Sequence, residues 1–234
     1  MMNNKFYQFF KDGNSVSIKI YGDIVDDVLY SNEVSAISFT EELENLGTVD
    51  NINVYINSYG GSVSAGLAIY NQLKNHSAKV TTYCDGFACS IASVIFMAGD
   101  DRVMNEGSIL MIHEPWCYTM GNADELQKQI ESLRKLSQLS VDIYSNTTGI
   151  ENNKIAEMMK AETWITPKEA LELGFATIIN GSNESSLITQ SVKESLIKMI
   201  MKANKENNEV LKMEEKNIIE NQQDEIVEET IEEV

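Results

Sequence analysis

Asn51-Ile52-Asn53-Val54-Tyr55-Ile56-Asn57-Ser58-Tyr59-Gly60-Gly61-Ser62-Val63-Ser64-Ala65-Gly66-Leu67-Ala68-Ile69-Tyr70 decides how the rest of the chain is read. Ile52 to Asn57 reads as an apolar strand, Gly60-Gly61 as a turn, and Ser62 to Asn75 as a helix with Val63, Leu67, Ile69, Tyr70 and Leu73 along its buried side. Lys79 to Cys84 reads as the next strand, Ser90 to Ala98 as a helix apolar on nearly every side, and Arg102 to Met104 and Ser108 to Ile112 as further strands. Val16 to Gly22 is a short strand before them, and Asp23 to Leu46 holds a helix ending near Gly47. Such alternation of strand, turn and helix predicts an α/β fold with parallel strands, in which sites gather at the carboxyl ends of the strands.

Three features fall at those ends. In Gly86-Phe87-Ala88-Cys89-Ser90-Ile91-Ala92-Ser93 a serine emerges at a strand-to-helix corner among small residues. His113 lies 23 residues further on, in Met111-Ile112-His113-Glu114-Pro115, and imidazole is the usual group that takes a serine proton near neutral pH. The diglycine turn, with Gly60 supporting Gly61, is placed to point backbone N–H groups at a developing oxyanion. A serine at a helix start is ordinarily only a cap, but the three features together read as a serine hydrolase. The other histidine, His76, reads as a solvated helix end without a role.

Composition narrows the alternatives. With 234 residues, 43% hydrophobic, the chain suits one domain plus an extension. A net charge of −18 leaves no basic stripe for nucleic acid. Cys84, Cys89 and Cys117 suit reduced thiols and, with two distant histidines, offer no metal-ligand spacing, so neither a metal nor another cofactor is expected. No signal peptide and no span long enough for a bilayer is read, which points to the cytoplasm.

Downstream, Asn122 to Tyr144 reads as a long amphipathic helix through Leu126, Ile130, Leu133, Leu136 and Ile143, long enough to project from the body and meet another subunit. Gly149 ends that unit, and Asn152 to Met159 is helical. Thr166 then caps a helix with Pro167 at its first position, Glu169 as capping-box partner and Gly174 at its end, before a last strand over Phe175 to Ile179. The organisation expected is an N-terminal segment 1–14, a catalytic domain 15–180, and an extension 181–234. The extension holds an amphipathic helix over Ser182 to Asn207 and then an acidic tail with nine Asp or Glu against two Lys from Leu211 to Val234.

The stretch Ile56 to Tyr70 strongly resembles the INSPGGxxxAGxAIYD segment of the Clp protease proteolytic subunit, ClpP. Gly86-Phe87-Ala88-Cys89-Ser90-Ile91 resembles the GxAASM segment of that family, and Met111-Ile112-His113-Glu114-Pro115 its MIHQP segment. The resemblance implies a ClpP/crotonase-like spiral of ββα units. It also implies Ser90 as nucleophile, His113 as general base, and the N–H groups of Gly61 and Ile91 as oxyanion hole. The third member of the family triad, an aspartate, falls by position on Glu162, two places before Trp164, with Glu114 next in line. Tyr59 stands where the family usually has proline.

The reading implied is a serine endopeptidase acting on peptides or proteins in a homo-oligomeric ring, most simply a heptamer. It works either with an AAA+ ATPase or, from the Glu162-Thr163-Trp164-Ile165-Thr166 pattern and the acidic tail, as a phage or prophage head-maturation protease on capsid, scaffold or portal proteins. The alternatives are a crotonase-like acyl-CoA hydratase or isomerase, and a non-catalytic capsid-associated protein.

Overall fold

The computed structural model describes residues 7–30, 33–181 and 197–202. Its centre is one sheet in the order β1 (Tyr7–Asp12), β2 (Ser15–Tyr21), β5 (Asn51–Ser58), β6 (Lys79–Cys89), β7 (Asp101–Asn105) and β10 (Ile178–Asn180), parallel except for β1. Val16, Ile18 and Ile20, Ile52, Val54 and Ile56, and Val80 and Cys84 alternate along their strands and form the buried side. Against the sheet lie α1 (Ala36–Asn45), α2 (Val63–Lys74) and α3 (Ile91–Phe96), whose six residues are all buried. The α/β fold read from the sequence is the one observed.

Several boundaries differ for identifiable reasons. Asp23 to Leu46 does hold a helix, but two short parallel strands, β3 (Asp23–Val25) and β4 (Glu33–Ser35), precede it, and the reciprocal capping pair Ser35 and Ser38 fixes its start. Tyr7–Asp12, inside the 1–14 segment, pairs with β2 across Gly13 and Asn14. The last strand begins at Ile178, since Ala176 N–H still donates to Ala170 O in the preceding helix, and Thr177 N–H donates to Arg102 O.

The difference with most consequence is β6, which runs on to Cys89 rather than stopping at Cys84. Its register against β5 shifts between Ile56 and Ser58, and the Asn57 side-chain oxygen accepts the Phe87 N–H at 3.0 Å across the irregularity. Before the bend β6 pairs with β7; beyond it, Phe87 to Cys89 pair instead with β8 (Ile109–Ile112). β8 in turn pairs antiparallel with β9 (Thr163–Ile165). A strand that changes partners midway thus carries the chain out of the main sheet just before Ser90.

The long helix α4 (Ala123–Thr148) starts on an Asn122–Glu125 capping box and ends on Gly149 in the left-handed region at φ 74°. It spans about 39 Å at 1.5 Å per residue. Ala123 to Ser132 are exposed throughout, while Ser140, Val141, Tyr144 and Thr148 are buried, so its first half stands clear of the body. α5 (Asn152–Lys160) follows, and α6 (Pro167–Leu173) begins on the expected Thr166–Glu169 capping box with Pro167 in its first turn, and ends on Gly174. Of the helix expected over Ser182 to Asn207, the described part, residues 197–202, is helical and buries Ile197 and Ile200 in the core. The remainder, and the acidic tail, lie outside the described residues.

Gly61 shows how closely the layers meet. It bridges β3, with Ile24 N–H donating to Gly60 O at 2.9 Å and Ser62 N–H donating to Ile24 O at 2.7 Å. A Cβ on Gly61 would stand 2.0 Å from Ile24 O, and its φ of 140° suits glycine alone. Gly61→Ala is expected to lower stability by about 2–4 kcal/mol, seen as a drop of several degrees in the thermal unfolding midpoint; an unchanged midpoint would contradict the close approach.

Candidate active site

Ser90 sits where β6 ends and α3 begins, at φ 55° and ψ −129°, a conformation that costs a non-glycine residue on the order of 1–3 kcal/mol. Its side chain makes no cap bond to the helix it precedes. Ser90 N–H donates to Met111 O at 2.9 Å, tying the corner to β8. Neighbouring glycines make room for the corner: a Cβ on Gly60 would lie 2.8 Å from both Ser90 Cβ and Cys89 O, and one on Gly66 of α2 2.2 Å from Ile91 Cγ1.

Sheet register places the histidine. Cys89 pairs with Met111 in the parallel β6–β8 ladder, so Ser90 and His113 leave neighbouring strands side by side, and His113 Nε2 is 2.7 Å from Ser90 Oγ. The antiparallel ladder of β8 and β9 pairs Leu110 with Ile165, Met111 with Trp164 and Ile112 with Thr163, which sets His113 opposite Glu162. Glu162 Oε2 lies 3.8 Å from His113 Nδ1, an ion-pair distance rather than a hydrogen bond. The imidazole is mostly enclosed, its side chain 16% exposed, whereas the carboxylate is 57% exposed. Glu162 itself has φ 50°, the only non-glycine residue besides Ser90 with a positive value among those described. Glu114, beyond the end of β8, is exposed.

The two candidate oxyanion donors flank the same corner. The bridge to Ile24 uses the carbonyl of Gly60 and the N–H of Ser62, so the intervening Gly61 N–H faces the opposite edge, the side of β6 and Ser90. Ile91 opens α3, and a first-turn N–H has no acceptor four residues back.

One supporting group escaped the sequence reading. Asp26 Oδ1 accepts hydrogen bonds from Ser62 Oγ and Ser64 Oγ, both at 2.7 Å, and so anchors the chain just after Gly61. Those bonds hold its carboxyl below the usual carboxylate range. No local signal marks it, because the aspartate and the serines are 36 and 38 residues apart. Cys89, beside Ser90, is buried, and desolvation pushes its thiol up to about 12 and that of Cys84 up to about 11. Among the described residues no group of His, Cys, Asp and Glu is arranged to hold a metal ion, and no helix is long and apolar enough to cross a membrane. A cavity of about 520 Å³ lined by Phe10, Ser17, Lys19, Tyr21, Tyr55 and Asp85 lies on the sheet face away from α2 and α3, apart from this cluster.

A strained serine at a strand-to-helix corner, an imidazole at hydrogen-bond distance and a carboxylate behind it form the arrangement of a serine hydrolase. The Clp protease family model matches residues 4–183. Over 125 residues the chain is 39% identical to the ATP-dependent Clp protease proteolytic subunit of Deinococcus radiodurans, covering 53% of this chain and 61% of that protein. It is 35% identical over 134 residues to the subunit of Borreliella afzelii, covering 56% and 68%, and 30% identical over 173 residues to subunit 1 of Salinibacter ruber, covering 73% of each. The match therefore spans less than two thirds of the Deinococcus protein. The chain belongs to the Clp protease family.

The environments of the cysteines give a direct check. At pH 8 a disulfide-exchange reagent is expected to titrate at most one thiol per native chain, Cys117, and all three after denaturation; rapid reaction of two or three native thiols would contradict the buried placement of Cys84 and Cys89.

Proposed function

We propose that this protein is a serine endopeptidase in which Ser90 attacks the peptide carbonyl. Its Oγ proton passes to His113 Nε2, the C–N bond breaks as His113 returns that proton to the leaving amine, and water then releases the acyl group from Ser90 by the same path. Glu162 favours the tautomer with the proton on Nδ1 and stabilises the imidazolium formed during attack. The N–H groups of Gly61 and Ile91 receive the oxyanion. The observation that carries this reading is the 2.7 Å approach of His113 Nε2 to Ser90 Oγ at a corner held in a strained conformation.

The proposal extends to assembly. The exposed first half of α4, with Leu126 and Ile130 open to solvent and Trp116, Tyr118 and Met120 exposed just before it, offers apolar area suited to contact with further copies; the heptameric ring is what the family resemblance implies. The relatives are named as ATP-dependent proteolytic subunits, which favours an ATPase partner, inferred to be of the AAA+ class; the cytoplasm is the setting inferred. Head maturation in a phage, with capsid, scaffold or portal substrates, is the second reading and rests on the Glu162 to Thr166 pattern. In either setting, residues 15–180 are taken as the unit that carries the catalytic residues, with β1 completing its sheet and Ile197 and Ile200 packed into its core, and the acidic tail as an extension dispensable for the chemistry.

Ser90→Ala is expected to abolish hydrolysis of a generic peptide while costing only about 1 kcal/mol of stability, because Ser90 caps nothing; turnover at the wild-type rate would overturn the proposal. Glu162→Gln is expected to lower kcat about 10-fold, a moderate loss because the carboxylate is largely solvated and beyond hydrogen-bond length. Unchanged kcat in that variant would remove Glu162 from the orienting role.

A further inference from the structure

The main-chain carbonyl of Ser90 is held by a buried hydroxyl, itself backed by a second, and the proposed chemistry uses neither. Ser93 Oγ lies 2.6 Å from Ser90 O and 2.7 Å from the Tyr144 hydroxyl, and both side chains are sealed from solvent. The Ser93 hydroxyl has a single hydrogen. Spent on Tyr144, it would leave the buried phenol hydrogen without an acceptor; spent on Ser90 O, it lets Tyr144 donate to Ser93, and both hydrogens are satisfied. Burial also pushes the Tyr144 hydroxyl far above its ordinary ionisation, so it donates at any working pH. The Ser93 N–H adds a second bond to Ser90 O at 3.0 Å.

Ser90 O belongs to the same planar unit as the Ile91 N–H. In a trans peptide the two groups point in opposite directions, and no cis bond occurs among the described residues. Anchoring the carbonyl toward Ser93 and Tyr144 therefore turns the Ile91 N–H outward, away from the core. The strained φ of Ser90 makes the anchoring matter, since a corner held off its preferred conformation relaxes once its restraints are removed. We propose that Ser93 and Tyr144 are positioning residues, a hydroxyl relay from α4 that aims the Ile91 N–H at the developing oxyanion. This inference rests on the serine-peptidase reading given above. It also gives α4 a part in the site, since the buried end of the helix supplies Tyr144, braced by the Phe175 ring at 5.8 Å.

The test is the double variant Ser93→Ala/Tyr144→Phe, which removes both hydroxyls together and leaves neither orphaned. Peptide hydrolysis, inhibition by a peptide boronate that mimics the tetrahedral oxyanion, and thermal unfolding are measured on the full chain beside Ser90→Ala. A misaimed donor is expected to lower kcat about 10- to 100-fold with KM within about twofold, and to weaken the boronate by the factor lost in kcat/KM. Tyr144→Phe alone is expected to lower kcat about 3- to 10-fold, and it decides the matter if the double variant does not fold. Wild-type kcat in a folded variant would overturn the relay. So would a loss confined to KM and unfolding temperature with boronate affinity unchanged, which is the signature of packing alone. With Ser90→Ala inactive, those results remove the relay only. Turnover by Ser90→Ala would remove the peptidase reading and the relay with it.

Discussion

The arrangement depends on one restraint, the strained, positive-φ conformation of Ser90 at the end of β6. A serine before a helix ordinarily takes an extended backbone and turns its oxygen back onto the helix as a cap. Here the positive φ turns the side chain away from α3, so the hydroxyl is left for His113. The conformation persists because the surroundings hold it from several sides. Met111 O takes the Ser90 N–H, Ser93 takes the Ser90 carbonyl, and glycines at 60 and 66 let the diglycine turn and α2 approach where any side chain would collide.

The bend in β6 sets up everything downstream of that corner. A straight β6 would keep β7 as its neighbour and carry Ser90 away from His113. By exchanging β7 for β8 it joins a small outlying ladder, and that ladder's antiparallel register puts His113 and Glu162 face to face across 49 residues of sequence. Distances within the cluster grade the contributions. The contact between Ser90 and His113 is short and partly enclosed, where electrostatics act strongly; the contact between His113 and Glu162 is long and wet, where water screens most of it. A glutamate with its own positive φ reaches the imidazole at the cost of local strain and of some coupling.

What could be read from the residues alone follows the range of the interactions involved. Strand, turn and helix alternation is local, so the parallel α/β sheet, the capping box of α6 and the glycine stops of α4 and α6 were all legible, whereas the Asn122–Glu125 box of α4 was not read. The proximity of Ser90, His113 and the diglycine turn followed from the rule that parallel strands gather sites at their ends. Glu162 was reachable only through the family resemblance, because β9 has three residues and reads as the approach to a helix rather than as a strand. Pairings distant in sequence left no local trace: the bulge in β6, the Asp26 anchor, and the 51-residue span from Ser93 to Tyr144. Tyr144 was read only as the end of the long helix, a position that does not distinguish a core tyrosine from one hydrogen-bonded to a buried serine hydroxyl.

Covalent labelling with a fluorophosphonate, followed by peptide mass spectrometry, tests the central claim most directly, because the reagent reports an activated serine without needing a physiological substrate. The account predicts one adduct per chain, on Ser90, that disappears in His113→Ala. An adduct on another serine, or labelling of Ser90 undiminished by loss of His113, would contradict it.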